Sequence, residues 1–217
     1  MIELNKVYNM DCLDGLKDIP DKYFDLLLTD PPYGIFKGET QIGGEGICKN
    51  RIFPPILWDD KPSKEMMIEL FRVSKNQIIF GFEHLSDILP QSRGVYCWDK
   101  ERPEGTTFSE FELIWTSFDR RAQFIRFMWN GCLKDNNEII PLNRIHPTEK
   151  PIDILKTLLL KHSKEGDKVL DAFAGSGSTL IACMHLKRDY MGFEKDKYYY
   201  DKICERIKEH SKQQRLA

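Results

Sequence analysis

Short apolar runs alternate along the chain with segments whose apolar residues recur at helical spacing. Phe24–Thr29 (FDLLLT) shows no alternation of apolar and polar residues, which is typical of a strand buried on both faces of a sheet. Met66, Met67 and Leu70 fall close to helical spacing and predict a helix over residues 63–74. Further strands are predicted at residues 77–82, 94–98, 112–116, 168–173 and 189–193, and further helices at 176–187 and 197–210. This alternation predicts an α/β fold with a mostly parallel central sheet and helices on both faces.

Two segments interrupt the alternation. Residues 34–60 carry Gly38, Gly43, Gly44 and Gly46 and predict a mobile substrate loop beside the first strand. Residues 117–145 mix polar and aromatic positions and predict a short target-recognition insertion. Long irregular segments in a compact domain are often binding loops. Because no repeat, low-complexity tract or linker divides the chain, we predict a single catalytic domain over residues 1–217.

Composition narrows the class of protein. The 217 residues are 41% hydrophobic and 30% charged, as in an ordinary globular domain. No secretion signal and no apolar run long enough for a membrane span is visible, so we expect a cytoplasmic protein. The net charge of −2 means that any nucleic-acid contact requires a local basic patch. The six cysteines are Cys12, Cys48, Cys97, Cys132, Cys183 and Cys204; their scatter predicts reduced thiols and no metal site.

The tetrapeptide Asp30-Pro31-Pro32-Tyr33 directly follows the FDLLLT strand. The two prolines fix φ and remove two backbone donors, so they stiffen the loop. Such a loop holds the Asp30 carboxylate, the Pro31 carbonyl and the Tyr33 ring beyond the carboxyl end of a strand, where open α/β sheets bind ligands.

These groups suit the methylation of an amino group on a nucleic-acid base. The nitrogen lone pair of such an amine is delocalised into the ring, so the amine is a weak nucleophile. Two acceptors that bind its two hydrogens free the lone pair and stabilise the positive charge that develops. Asp30 and the Pro31 carbonyl are the candidate acceptors, and Tyr33 is a candidate stacking partner for a flipped base. An ordinary Asp-Pro-Pro turn is the alternative.

A glycine-rich turn near the carboxyl end predicts a cofactor site. It spans residues 171–179 (DAFAGSGST), between a predicted strand and a predicted helix, and lets a ligand approach the backbone and the first helical N–H groups. Glu194 ends the next strand and can accept hydrogen bonds from both ribose hydroxyls of a nucleoside cofactor. A phosphate-binding loop would need a lysine, and a dinucleotide site usually has a third glycine where Leu180 stands. A tight turn without a ligand remains the third alternative.

Together these segments resemble the amino-methyltransferases of DNA. Asp30-Pro31-Pro32-Tyr33 matches the catalytic motif of the family, and Phe173-x-Gly175-x-Gly177 matches its cofactor motif. The resemblance implies S-adenosylmethionine as cofactor, and a Rossmann-like methyltransferase fold of the circularly permuted class, in which the catalytic motif comes first.

The resemblance extends to two weaker motifs. Asp11 and Cys12 are similar to a motif beside the cofactor adenine, although Asn9 and Met10 depart from it. His146-Pro147-Thr148-Glu149-Lys150-Pro151 is similar to a stretch near the methionine end of the cofactor. The implied cofactor residues are Asp11, Cys12, Asp30, His146, Thr148, Lys150, Asp171, Phe173, Ala174, Gly175, Ser176, Gly177, Thr179 and Glu194.

Structural roles are the alternatives for several of these residues. Asp11 can cap a helix that starts near Leu13. His146 and Thr148 can shape the entry to a helix that begins near Pro151. Lys150 can be a solvated surface charge, and Phe173 a core residue.

The resemblance also indicates a target. Family members with aspartate in the catalytic motif mostly methylate adenine N6, and those with serine favour cytosine N4, so Asp30 favours adenine in DNA. Basic residues in the short slot between the two motifs are candidates for DNA contact. These are Arg120, Arg121, Arg126, Lys134 and Arg144. Asp119, Asp135 and Glu138 dilute this patch, so a solvated face is the alternative.

Other function classes stay open at this point. The same chemistry serves RNA adenine or a protein glutamine, although a glutamine-directed enzyme more often has asparagine at the position of Asp30. A non-catalytic nucleic-acid-binding remnant would retain the fold without turnover. A short recognition segment indicates a short target, help from a partner subunit or low specificity. Besides DNA, a homodimer or a cognate restriction endonuclease is the candidate partner.

Overall fold

The computed structural model describes residues 3–36, 41–42, 51–102, 109–129, 133–134, 138–139 and 144–216. Its strands, in chain order, are β1 (Lys6–Tyr8), β2 (Phe24–Thr29), β3 (Gln41–Ile42), β4 (Arg51–Ile52), β5 (Ser74–Phe80), β6 (Val95–Asp99), β7 (Phe111–Thr116), β8 (Gln123–Arg126), β9 (Leu133–Lys134), β10 (Glu138–Ile139), β11 (Lys168–Asp171) and β12 (Asp189–Phe193). Its helices are α1 (Cys12–Leu16), α2 (Lys64–Val73), α3 (Phe82–Leu85), α4 (Ile152–His162), α5 (Ser178–His185) and α6 (Lys197–Leu216).

In the described part of the chain, one eight-stranded sheet has the order β1-β12-β11-β2-β5-β7-β6-β8. Strands β1, β12, β11, β2 and β5 are parallel, and β7 runs antiparallel between β5 and β6. The reversal of β7 brings its amino-terminal end to the edge where the parallel strands end: Phe80 pairs with Ile114, and Asp99 with Phe111. The predicted mostly parallel α/β fold is therefore confirmed.

Helices cover both faces of the sheet. On one face Leu26 and Leu28 belong to a buried cluster with Leu158 of α4 and Leu180 of α5. On the other face Leu27 belongs to a second cluster, to which α1 and α2 contribute. Burial on both faces explains why β2 lacks polar alternation.

Several boundaries differ from the predicted ones. Residues 77–82 were expected to be one strand, but β5 starts at Ser74 and ends at Phe80, because Gly81 has a φ of +75° and α3 follows it. The strand predicted at 168–173 ends at Asp171, and α5 starts only after Gly177, whose φ is +74°. The sequence pattern did not predict β1 or β8. A part of residues 34–60 and of 117–145, including Cys48 and Cys132, lies outside the described residues.

Among the described cysteines, Cys12, Cys97, Cys183 and Cys204 are free thiols. None of the described helices combines the length and the apolar character needed to cross a bilayer.

Candidate active site

The two predicted motifs meet at one edge of the sheet. The Thr29 hydroxyl, at the end of β2, donates a 2.8 Å hydrogen bond to Oδ1 of Asp171, at the end of β11. Residues 30–33 and most of residues 171–179 line the same cavity, which has a volume of about 500 Å³. Small-molecule sites typically have volumes in this range.

The loop after β2 is held by a carboxylate that no sequence pattern indicates. Asp59 is 4% exposed, and it accepts hydrogen bonds from the backbone N–H groups of Tyr33 (2.9 Å), Gly34 (3.1 Å) and Phe36 (2.5 Å). Prolines alone stiffen residues 31–32, whereas Asp59 fixes the chain that follows them. Asp59 lies in the segment that was expected to be a mobile loop, and that expectation stays a prediction for residues 34–60 as a whole.

Asp30 points into a group of buried charges. Its Oδ1 accepts a hydrogen bond from the Tyr33 hydroxyl, and its Oδ2 accepts one from Lys150 Nζ at 2.6 Å. Burial raises the pKa of Asp30, and the Lys150 charge opposes that increase. Burial lowers the pKa of Lys150, but the charges of Asp30 and Glu112 outweigh it and raise the pKa above its ordinary value. Lys150 is therefore a buried cation and not a solvated surface charge.

Two residues that no motif indicated complete this group. Glu112 Oε1 lies 3.1 Å from Lys150 Nζ, and Glu112 Oε2 lies 3.1 Å from Lys100 Nζ. Burial raises the pKa of Glu112, but Lys150 and then Lys100 outweigh it and hold the pKa below its usual value. Two carboxylates and two ammonium groups thus lie together, which reduces the cost of burying each charge.

Tyr33 packs tightly against α3. Its ring stacks on His84 with 4.8 Å between ring centroids. A Cβ atom at residue 81 would lie 2.2 Å from the Tyr33 ring, so only glycine leaves room for it. Burial, and after it the Asp30 charge, raises the pKa of Tyr33, which keeps the hydroxyl protonated and able to donate.

Two glycines of the glycine turn adopt left-handed backbone conformations. Gly175 and Gly177 have φ values of +51° and +74°. A Cβ at residue 177 would lie 2.9 Å from Ile203, so α6 packs close to the turn. Ser176 and Thr179 are buried, as are Ala174 and Asp171. Phe173 is half-buried: it lines the cavity and also packs against the second core cluster.

Glu194 lies beside this turn on the cavity wall. Its two oxygens accept hydrogen bonds from the backbone N–H groups of Gly175 and Asp196, both at 2.8 Å. Burial raises the pKa of Glu194 to about 7 and that of Asp171 to about 6. The backbone bonds fix the Glu194 carboxylate and leave lone pairs for two hydroxyl groups of a ligand.

Asp11 and Cys12 line the same cavity from the end of β1. Asp11 Oδ1 accepts a 3.0 Å hydrogen bond from Leu13 N and so caps α1. The capping role is therefore present, and cofactor contact by Asp11 stays a prediction. Burial raises the pKa of Cys12 to about 12, so its thiol is protonated.

His146 and Thr148 approach the glycine turn from the segment before α4. A Cβ at Gly175 would lie 3.5 Å from the His146 ring. Burial, and after it Lys150, lowers the pKa of His146 to about 3, so the ring is neutral. Thr148 N donates a 3.3 Å hydrogen bond to Nδ1, which places the ring proton on Nε2. α4 begins at Ile152 with Pro151 as its N-cap residue, so the helix starts one position later than expected.

Comparison with known proteins agrees with this geometry. A family model described as DNA methylase matches residues 95–205. The chain belongs to the DNA methylase family. The Type II methyltransferase M.HinfI of Haemophilus influenzae is 26% identical over 247 residues, which cover 95% of this chain and 69% of that protein.

Solved structures share the fold of this methylase. A crystal structure of the M1.HpyAVI–SAM complex has a TM-score of 0.61 at 20% identity and covers 93% of this chain and 98% of its own. The PvuII DNA methyltransferase, described as cytosine-N4-specific, has a TM-score of 0.63 at 12% identity, with 95% and 87% covered. The predicted Rossmann-like methyltransferase fold is confirmed. The circular permutation stays a prediction.

This methylase is a DNA amino-methyltransferase that uses S-adenosylmethionine. The cofactor supplies a methyl group bonded to a sulfonium sulfur. The neutral thioether that remains after transfer is a good leaving group. The residues fit it: the cavity is large enough, Glu194 offers a fixed carboxylate for a ribose, and the positive φ of Gly175 and Gly177 exposes the backbone of the turn. Asp30 lines the same cavity, and its carboxylate can accept hydrogen bonds from an amine.

The structure separates the basic residues expected to contact DNA. Arg126 ends β8 level with Asp99, at the same edge of the sheet as Asp30. Arg120 and Arg121 precede β8 at the opposite edge, and Arg120 donates a 3.2 Å hydrogen bond to the Tyr96 hydroxyl. These two arginines are therefore not brought together with Asp30.

Contacts of the other two basic residues, Arg144 and Lys134, give no direct support for DNA binding. Arg144 lies with its guanidinium 4.7 Å from the centre of the Trp129 ring. The Lys134 side chain lies outside the described part. DNA contact by Arg126, Lys134 and Arg144 stays a prediction.

Proposed function

We propose that the methylase transfers the methyl group to N6 of adenine in DNA. The observation that carries this proposal is the position of the Asp30 carboxylate, which lies in the same cavity as the glycine turn. Aspartate in this motif is typical of the adenine-directed members that the sequence resembles, whereas serine is typical of cytosine-directed ones. Its carboxylate offers a full negative charge close to the amine nitrogen, where positive charge develops.

The chain's own groups then act by position. Asp30 and the Pro31 carbonyl accept hydrogen bonds from the two amine hydrogens, which frees the nitrogen lone pair for an in-line attack on the methyl carbon. The carbon–sulfur bond would break as the carbon–nitrogen bond forms, the neutral thioether would leave, and the methylated amine would lose one proton to solvent. A base inside a duplex cannot reach this cavity, so the target adenine is flipped out. Because His84 stacks on Tyr33, the flipped base takes the other face of the Tyr33 ring. Holding both reactants in this alignment contributes to the rate enhancement, because it removes the entropic cost of bringing them together.

The proposed setting is a restriction–modification system. M.HinfI is a Type II methyltransferase and matches 95% of this chain. We therefore expect a cognate restriction endonuclease as the partner in the cell. A homodimer is the second arrangement that we propose, because the segment available for target recognition is short.

Labelled methyl transfer followed by mass spectrometry tests the target. The chain is incubated with methyl-labelled S-adenosylmethionine and, separately, with unmethylated DNA, total RNA and a protein mixture. We expect label in DNA, and N6-methyladenine as the modified nucleoside. N4-methylcytosine would contradict the choice of base. Label in RNA or protein alone would contradict DNA as the polymer, and binding without transfer would identify a non-catalytic remnant.

A further inference from the structure

Both oxygens of the Asp30 carboxylate already have donors. The Tyr33 hydroxyl donates to Oδ1, and Lys150 Nζ donates to Oδ2 at 2.6 Å. A carboxylate whose two oxygens already accept hydrogen bonds, one of them from a cation, binds a further donor more weakly. The positive charge of Lys150 also opposes the positive charge that develops on a methylated amine. The site therefore needs a way to free Asp30 when the amine arrives.

Glu112 lies within reach of both donors. Its Oε1 atom is 3.1 Å from Lys150 Nζ and 3.3 Å from the Tyr33 hydroxyl oxygen. The Tyr33 hydroxyl has one hydrogen, so it donates fully to only one of the two carboxylates at a time. The Lys150 ammonium has three hydrogens and can move between the carboxylates without losing either contact completely.

The position of Glu112 is fixed from behind. It is the second residue of β7, and its side chain is 9% exposed. Lys100, which follows β6, holds the other oxygen of Glu112 at 3.1 Å. Because β7 runs antiparallel to β5, this amino-terminal end of β7 meets the edge where Asp30 lies. Burying a charge network of this kind has a high desolvation cost, so it contributes little to stability. Its position at the edge that holds the cavity therefore favours a role in the site.

We propose that Glu112 is a positioning residue that takes over the Tyr33 hydroxyl and Lys150 when the target amine binds, and so frees the Asp30 carboxylate to accept that amine. No covalent bond changes in this step, because only hydrogen bonds are exchanged. The inference rests on amine methylation by this family and holds for either base.

The charges around Asp30 predict a signature in the pH dependence. Asp30 is faced by Lys150 from the segment before α4, by Tyr33 from its own loop and by Glu112 from β7, with Lys100 and Asp171 further away. Burial is the largest cause of the raised pKa of Asp30, and the negative charge of Glu112 adds to it. Removing that charge lowers the pKa of Asp30. The acid limb of kcat, which requires ionised Asp30, then moves to lower pH.

The test compares Glu112→Gln with Glu110→Gln, a matched change at an exposed residue two positions earlier. Steady-state transfer of labelled methyl to unmethylated plasmid DNA gives kcat and KM from pH 5 to pH 9. We expect Glu112→Gln to lower kcat at least about tenfold, the effect of roughly one hydrogen bond. KM for DNA should change little, and the acid limb should move to lower pH. Glu110→Gln should match the wild type.

A wild-type chain that methylates no amine in DNA would overturn the family activity and this inference together. Equal kcat values and equal acid limbs for an active wild type and Glu112→Gln would overturn the inference alone. If Glu112→Gln does not fold, the double variant Lys100→Met/Glu112→Gln removes both charges of one buried pair. A double variant that folds with low kcat supports the proposal, whereas recovery of full kcat would show that Glu112 acts only in stability.

Discussion

The Thr29 hydroxyl and the Asp171 carboxylate form a 2.8 Å hydrogen bond between residues 142 positions apart in the chain. This bond joins the strand that leads into residues 30–33 to the strand that leads into the glycine turn. Both side chains are buried, with exposures of 1% and 3%. If Asp30 holds the amine and the turn holds the cofactor, as proposed, the two reactants lie close together at this junction.

Asp30→Ala should abolish methyl transfer and largely retain cofactor binding. The variant removes the carboxylate that stabilises the developing charge, so we expect kcat to fall by about 10²–10³-fold. Calorimetric titration with S-adenosylmethionine measures how much cofactor affinity the variant retains. Asp18→Ala, at an exposed residue, is the control. Loss of cofactor affinity in step with loss of transfer would contradict the role of Asp30.

Asp59→Asn should loosen the loop that follows β2. The change weakens the acceptor of three backbone N–H groups, and we expect unfolding free energy to fall by about 1–3 kcal/mol. We also expect kcat to fall while the affinity for S-adenosylmethionine stays close to that of the wild type. Denaturant titration and the methyl-transfer assay measure these effects. An unchanged kcat would show that the prolines alone hold the loop.

Gly175→Val should block cofactor binding. Its side chain would enter the cavity beside His146, at a backbone φ of +51°. Gly166→Val is a matched control, since Gly166 also has a positive φ, +81°, but has no atom within 4 Å of its Cβ position. Both variants lose stability, and only Gly175→Val should lose affinity for S-adenosylmethionine in calorimetry. Equal affinities would place the cofactor elsewhere.

Cofactor affinity should increase with pH around neutrality. Burial raises the pKa of Glu194 to about 7, and its ionised form is the better acceptor for ribose hydroxyl groups. Below that pKa the carboxyl group is protonated, so we expect affinity to rise roughly tenfold between pH 6 and pH 8. Glu194→Gln should bind more weakly and remove this dependence. A residual change of affinity near pH 6 in Glu194→Gln would indicate titration of Asp171. A pH profile identical to that of the wild type would contradict the assignment of Glu194 as the ribose acceptor.

Arg126→Ala should weaken DNA binding more than Arg120→Ala. Arg126 lies at the edge of the sheet that holds Asp30, and Arg120 at the opposite edge. If Arg126 contacts a phosphate, its loss should lower affinity for all DNA sequences and reduce the salt slope by about 1. Binding to labelled duplexes at several salt concentrations measures this. A larger effect of Arg120→Ala would show that DNA binds at the opposite edge of the sheet.

Periodicity and short motifs predicted much of this fold and site. Consecutive apolar residues identified β2, and the glycines identified the turn after β11, because both signals are local in sequence. The position of β7 was predicted, but its antiparallel direction was not, since apolar pattern carries no strand direction. That direction places Glu112 in the site.

The missed residues act through distant partners. Asp59 binds backbone N–H groups of residues 33–36, and Glu112 pairs with Lys100 and Lys150. Neither carboxylate belongs to a motif, so only the fold reveals these contacts. Arg120 and Arg126 show the converse: they are close in sequence, and β8 carries them to opposite edges of the sheet.

A crystal structure with bound S-adenosylmethionine shows directly whether the methyl group faces the Asp30 carboxylate. An amine nitrogen between the two groups would lie about 3 Å from an Asp30 oxygen and about 3 Å from the methyl carbon. We therefore expect the methyl carbon about 5 Å from the Asp30 carboxylate, with the ribose hydroxyls on Glu194. A methyl group turned away from Asp30, or a cofactor bound outside the cavity beside Gly175, would contradict this arrangement.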